Sequence, residues 1–233
     1  MEFKNRFAAY VAGRVKAVRE YPLTERKISC KADIFAACND VYSSGIIFAQ
    51  GGATAKRLGT PNIEQILSDS AEKIYNFFLV NQNNNIDKDY FDDFHNKICN
   101  EFLTSLNYAR CSVGYVALSY GSAQKFYNIV FKYLSCYSDY AQYENCFAWC
   151  HMPIDTIVLK WLKDTYGISK IYYYIYLDKK GKTSLSASYK KRSWTKFDES
   201  LYKELLNIIR NKVASDSKFT NKTLLEVEFS IWG

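Results

Sequence analysis

The chain lacks any run of about 18 uncharged apolar residues, so no membrane-spanning helix is expected. Its first twenty residues, MEFKNRFAAYVAGRVKAVRE, are charged throughout and lack the apolar centre of a secretion signal. The seven cysteines (Cys30, Cys38, Cys99, Cys111, Cys136, Cys146 and Cys150) are odd in number and scattered. Only Cys146 and Cys150 stand close, with no second pair to complete a zinc set. They are expected to be reduced and packed, as in a cytoplasmic protein. The segment Gln50–Arg57 is glycine-rich but lacks P-loop spacing and the Gly-Lys-Ser/Thr ending, so it reads as a connection.

What is present is apolar and aromatic. Hydrophobic residues make up 48% of 233 residues, which excludes a disordered chain and suffices for a sizeable core. The 20 tyrosines and 15 phenylalanines supply an aromatic core; a base-stacking surface is their other use. A net charge of +7 allows a polyanionic partner without requiring one.

Periodicity predicts a mainly α fold in a single helical domain spanning 1–233. Phe3, Phe7, Tyr10, Val11, Val15 and Val18 recur at helical steps over Glu2–Glu20, which Pro22 ends. A shorter helix is expected over Lys31–Tyr42. Pro61 sits where another begins, carrying Ile63, Ile66, Leu67, Ile74, Phe77 and Phe78 inward. Asp87 is placed to cap a helix running to about Ala109, on which His95 reads as structural. Residues 171–189 have strand propensity on both sides of Asp178–Lys182 and predict a small β-hairpin. Phe197–Val213 reads as a helix, and Thr223-Leu224-Leu225-Glu226 as the capping box of a final one.

Between these, residues 113–166 carry the candidate chemistry. Ser122 reads as an N-cap, which puts Lys125 in the first turn of a helix burying Phe126, Ile129, Val130, Tyr133 and Leu134. Lys125, Asn128 and Lys132 then share the opposite face. A lysine is disfavoured at a helix N-terminus by the macrodipole, which helps lower its pKa toward the neutral amine a nucleophile needs. Pro153 sets an extended entry to a second helix, where Asp155 can cap the backbone N–H groups of Thr156 to Val158.

Gly121-Ser122-Ala123-Gln124-Lys125 before an apolar helix, and Met152-Pro153-Ile154-Asp155 before another, resemble the core of the helix–hairpin–helix DNA glycosylase superfamily. The 8-oxoguanine glycosylase branch is the nearest likeness, because it carries its lysine at this glycine-plus-four position. Ala123-Gln124-Lys125, His151-Met152-Pro153-Ile154-Asp155, Trp194-Thr195-Lys196 and the segment Glu226–Trp232 also resemble stand-alone bacterial proteins of that fold associated with antiviral defence. Ser138–Asn145 reads as an insertion between the two helices. No four-cysteine iron–sulfur loop follows, and no cofactor or metal is expected.

The resemblance implies removal of a modified purine-type base from DNA, with strand cleavage as an accompanying lyase step. Lys125 would be the nucleophile and Asp155 its assistant. Trp149, His151, Trp194 and Trp232 would contact the flipped base. Gly121, Ser122, Lys132, Lys190 and Arg192 would hold phosphate. The alternative is a non-catalytic helical module that binds a modified base, a nucleotide or DNA.

Overall fold

In the computed structural model, residues 2–47, 62–168 and 194–232 are described. They are mainly helical, with no strand among them. The expected hairpin at 171–189, the Gln50–Arg57 connection, and Lys190 and Arg192 lie outside the described residues.

Among the described residues ten α-helices follow in chain order: α1 Glu2–Arg14, α2 Lys16–Glu20, α3 Lys31–Ser43, α4 Ile63–Asn81, α5 Lys88–Cys111, α6 Tyr120–Leu134, α7 Glu144–Phe147, α8 Thr156–Tyr166, α9 Glu199–Ser215 and α10 Leu224–Trp232. The single helix expected over Glu2–Glu20 is two. Val15 adopts an extended conformation (φ −110°, ψ 110°), as a β-branched residue readily does, and the chain re-enters a helix that buries Val18.

The capping signals at Asp87 and at Thr223–Glu226 appear where the sequence puts them. The Asp87 carboxylate accepts from the Tyr90 N–H at 2.8 Å. Thr223 and Glu226 make the reciprocal bonds of a capping box, Thr223 N–H to Glu226 at 2.8 Å and Glu226 N–H to Thr223 Oγ1 at 3.3 Å. Helix α9 starts two residues later than expected because Asp198 caps it, accepting from the Leu201 N–H.

The centre of the molecule is α6. All fifteen of its residues are buried. Helices α3 and α5 pack on it and on α4, and the 3₁₀ turn Trp194–Lys196 crosses its start. Phe102 of α5 stacks on Phe126 of α6 with ring centroids 4.4 Å apart. A helix buried on every side is normally apolar on every side, yet α6 carries Ser122, Gln124, Lys125, Asn128 and Lys132. The face that Lys125, Asn128 and Lys132 share was expected to lie opposite the core; it is buried too, against Asp155 and the 151–154 segment on one side and α10 on the other.

Helix α6 also begins earlier than the sequence suggests. Its N-cap is Ser119, not Ser122, so Lys125 lies in the second turn. The cause is the close crossing of residues 194–197. Gly121 N–H donates to Phe197 O at 3.0 Å, and Ser119 Oγ donates to Thr195 O. A Cβ at Gly121 would stand 1.9 Å from Trp194 O, so only glycine fits that crossing. The Ser138–Asn145 insertion is not a free surface loop. It forms a 3₁₀ turn, Tyr140–Tyr143, and buries Asp139, whose carboxylate accepts from Ile28 N–H at 2.7 Å and Ser29 N–H at 3.0 Å.

Candidate functional site

The lysine and the aspartate singled out by the sequence meet. Asp155 is the N-cap of α8 in extended conformation, and its two oxygens divide their work. Oδ1 accepts from Ile157 N–H at 2.8 Å and Val158 N–H at 3.3 Å, while Oδ2 lies 3.2 Å from Lys125 Nζ. Lys125 is 7% exposed and Asp155 8%. The Trp194 ring covers the ammonium, with its centroid 4.1 Å from Nζ, a cation–π distance. Lysine, carboxylate, helix N-terminus and indole thus form one buried cluster.

Seven residues along α6, Lys132 has its own partner. Its ammonium contacts the Glu228 carboxylate of α10, and both side chains are almost fully buried. The rings of Phe7, Phe229 and Trp232 surround Nζ at 4.2, 4.7 and 4.6 Å. Burial pushes the Lys132 pKa down and the Glu228 pKa up, and their mutual attraction opposes both shifts.

A third cluster lies on the Gln124/Asn128 side of α6. His151, buried just after Cys150, sits between Asp92 of α5 (Nε2 to Oδ1, 2.7 Å) and Tyr202 of α9 (Nδ1 to OH, 2.8 Å). Arg210 of α9 grips Asp92 with two bonds, 2.7 and 2.6 Å. Burial favours a raised Asp92 pKa, but the bonds from Arg210 and His151 prevail and hold it well below the usual carboxylate range. Burial lowers His151 to about 4, against the opposing pull of Asp92. His95 lies beside it at a tilt, ring centroids 4.3 Å apart, and burial followed by His151 pushes its pKa well below the ordinary value. Asp92, His151, Tyr202 and Arg210 border a cavity of about 140 Å³.

The remaining expected site residues separate. Trp194 joins Lys125, but Trp232 joins Lys132. Trp149 is turned elsewhere, its indole N–H donating to Ile86 O at 2.9 Å between α4 and α5. The phosphate-binding expectation for Gly121, Ser122 and Lys132 does not fit their surroundings. Gly121 N–H is taken by Phe197 O and Ser122 N–H by Ser119 O, and Lys132 is sealed in the core against Glu228. Ser122 Oγ is buried without a hydrogen-bond partner among the described residues.

Sequence reading missed Asp92, Tyr202, Arg210 and Glu228. The one available signal was that the chain has only two histidines; a buried neutral imidazole needs partners on both nitrogens, and these come from helices far away in sequence. Among the described residues no group of three His, Cys, Asp or Glu side chains is arranged to hold a metal ion, all seven cysteines are free thiols, and no helix is long and apolar enough to cross a membrane. Comparison with family models, with curated proteins and with solved structures returned no match.

Proposed function

We propose that this chain is a DNA glycosylase with an accompanying lyase step, acting through Lys125 and Asp155. The observation that carries the reading is the 3.2 Å contact between Lys125 Nζ and Asp155 Oδ2 at the start of α8. A buried amine beside a single carboxylate, roofed by an indole, has what nucleophilic attack at a sugar carbon requires. The proton acceptor adjoins the nucleophile, and the same carboxylate, once it has passed the proton on, stabilises positive charge on a sugar held beside it.

In the proposed reaction the ammonium first gives a proton to Asp155. The nitrogen lone pair then forms a bond to C1′ of the flipped nucleotide. The bond from C1′ to the base breaks, and its electron pair leaves with the base, which takes up the proton that Asp155 received from the ammonium. Opening of the sugar ring converts the amine adduct to a Schiff base, from which the Asp155 carboxylate takes a C2′ proton as the 3′ phosphate leaves. Asp155 keeps its cap through Oδ1 while Oδ2 handles the proton. The base removed is a modified purine in this reading, and the setting is the cytoplasm, with a role in antiviral defence.

A second reading is favoured by one feature. The Lys125–Asp155 contact is also that of a helix cap with a counterion, which serves a non-catalytic module binding a modified base, a nucleotide or DNA equally well. Borohydride trapping on an oligonucleotide with one abasic site separates them. The expected result is a covalent adduct with the natural protein and none with Lys125→Gln. An adduct that survives Lys125→Gln removes this lysine as nucleophile. No adduct with the natural protein favours the binding module.

A further inference from the structure

A chain of buried polar side chains runs from Arg210 to the residues next to Lys125 and Asp155. It can be followed inward from Arg210. An ionised carboxylate only accepts, so Asp92, doubly bonded by Arg210, must receive the proton of His151 Nε2. Arg210 and His151 converge on the same Asp92 oxygen. The neutral imidazole then accepts at Nδ1 from the Tyr202 hydroxyl. The Tyr202 oxygen, having given its proton, accepts from Asn128 Nδ2 at 3.0 Å. This sets the Asn128 amide, whose Oδ1 accepts from His95 Nε2 at 2.9 Å.

Asn128 Nδ2 also donates to Gln124 Oε1 at 3.1 Å, which sets the second amide. Gln124 is the residue before Lys125. Its Oε1 accepts from Ile154 N–H at 3.2 Å, and its Nε2 donates to Ile154 O at 3.0 Å and Gly121 O at 2.9 Å. Ile154 is the residue before Asp155. One amide therefore clamps both backbone groups of the residue next to the carboxylate, from the position next to the lysine.

We infer that Asp92, His151, Tyr202, Asn128 and Gln124 are positioning residues for the Lys125–Asp155 pair, and that the charge on Asp92 sets the direction of the whole chain. The inference deepens the glycosylase reading and rests on it for its kinetic arm. An amide at position 92 has one acceptor in place of two, and with that oxygen turned to Arg210 Nη1 its NH₂ faces His151. The imidazole must then carry its proton on Nδ1 and donate to Tyr202. Tyr202 turns its hydroxyl on Asn128, the Asn128 amide reverses and gives up its bond to Met152 O (3.2 Å), and Gln124 reverses in answer. Its oxygen then opposes Ile154 O and Gly121 O, and its NH₂ opposes Ile154 N–H. The clamp opens and the pair loses its register; an error of about 1 Å in such a position costs on the order of 100-fold in rate.

The test compares the natural protein, Asp92→Asn and Asp92→Glu. With only two histidines in the chain, ¹⁵N spectra of labelled imidazoles report each tautomer directly. The expected result is the Nε2–H form of His151 in the natural protein and in Asp92→Glu, and the Nδ1–H form in Asp92→Asn. Crystal structures should show Lys125 and Asp155 separated beyond hydrogen-bond reach only in Asp92→Asn. Borohydride trapping should slow by about 10- to 100-fold in Asp92→Asn and recover in Asp92→Glu. A purely structural Asp92 would lower the melting temperature without this split between the two variants. A reversed His151 tautomer with the Lys125–Asp155 distance unchanged overturns the inference, as does an unreversed tautomer. If the natural protein forms no adduct, the lyase reading falls, and the tautomer and the distance alone decide the inference.

Discussion

Gly121 stands where the chain leaves no room for a Cβ, 1.9 Å from Trp194 O at the nearest. The obstacle is backbone, which cannot swing aside like a side-chain tip. Gly121→Ala should therefore push the 194–197 turn off α6 and cost about 1–3 kcal/mol, the range for overpacking, measured by urea denaturation. Because Trp194 covers Lys125, the same variant should also slow adduct formation. The Lys132–Glu228 pair offers a different single-residue test. Removing one member leaves the other charge buried among Phe7, Phe229 and Trp232. Lys132→Met should cost about 3–5 kcal/mol, whereas Lys132→Met combined with Glu228→Leu should come close to the natural stability. A double variant as unstable as the single one would show that the charges themselves hold α10 in place.

At the level of elements, Asp155 shows how one residue serves two ends. Asparagine caps a helix about as well as aspartate, and alanine does not. Asp155→Asn and Asp155→Ala both leave the Lys125 charge buried without its counterion and should cost about 3–5 kcal/mol, with Asp155→Ala about 1 kcal/mol worse because the cap is lost as well. Adduct formation should fall in both, because the acceptor facing Lys125 is lost in both. Helix signals of this kind were legible from sequence. Asp87, Asp155 and the Thr223–Glu226 box act through neighbours two or three residues away, so the local sequence holds all the information. The true start of α6 was not legible, since Ser122 resembles a cap as well as Ser119 does. The choice is made by residues 194–197, more than seventy positions along. The burial of its polar face was hidden for a related reason: periodicity shows which face is apolar, and says nothing of what covers the other. Lys125 and Asp155 were found because each sits in a local motif. Asp92 and Arg210 were not, because their roles arise only from the distant His151.

Across the molecule, the two histidines couple stability to pH. Both are buried and neutral, with His151 lowered to about 4 and His95 well below its ordinary value. The unfolded chain protonates them near pH 6.5, so below that pH it binds protons the folded chain refuses. The stabilisation is complete above about pH 6.5 and is lost as pH falls toward 4, at up to roughly 1.4 kcal/mol per pH unit for each histidine. Asp92, depressed in the folded state, adds a further loss only below its unfolded value near 3.9. Urea midpoints should be flat above about pH 7 and fall steeply between pH 6 and pH 4; a midpoint unchanged to pH 4.5 would contradict the buried neutral histidines.

The enclosure of α6 on every side also governs how its amide protons meet deuterium. A surface helix frays from its ends and exchanges through small openings. A helix with no exposed side offers no such route, because any excursion that frees it must first move α3, α5, α10 and the 194–197 turn. The amides in the middle of α6 should therefore exchange only when the whole molecule opens. Their protection then measures global stability directly, with Lys125 riding on the slowest-exchanging segment among the described residues.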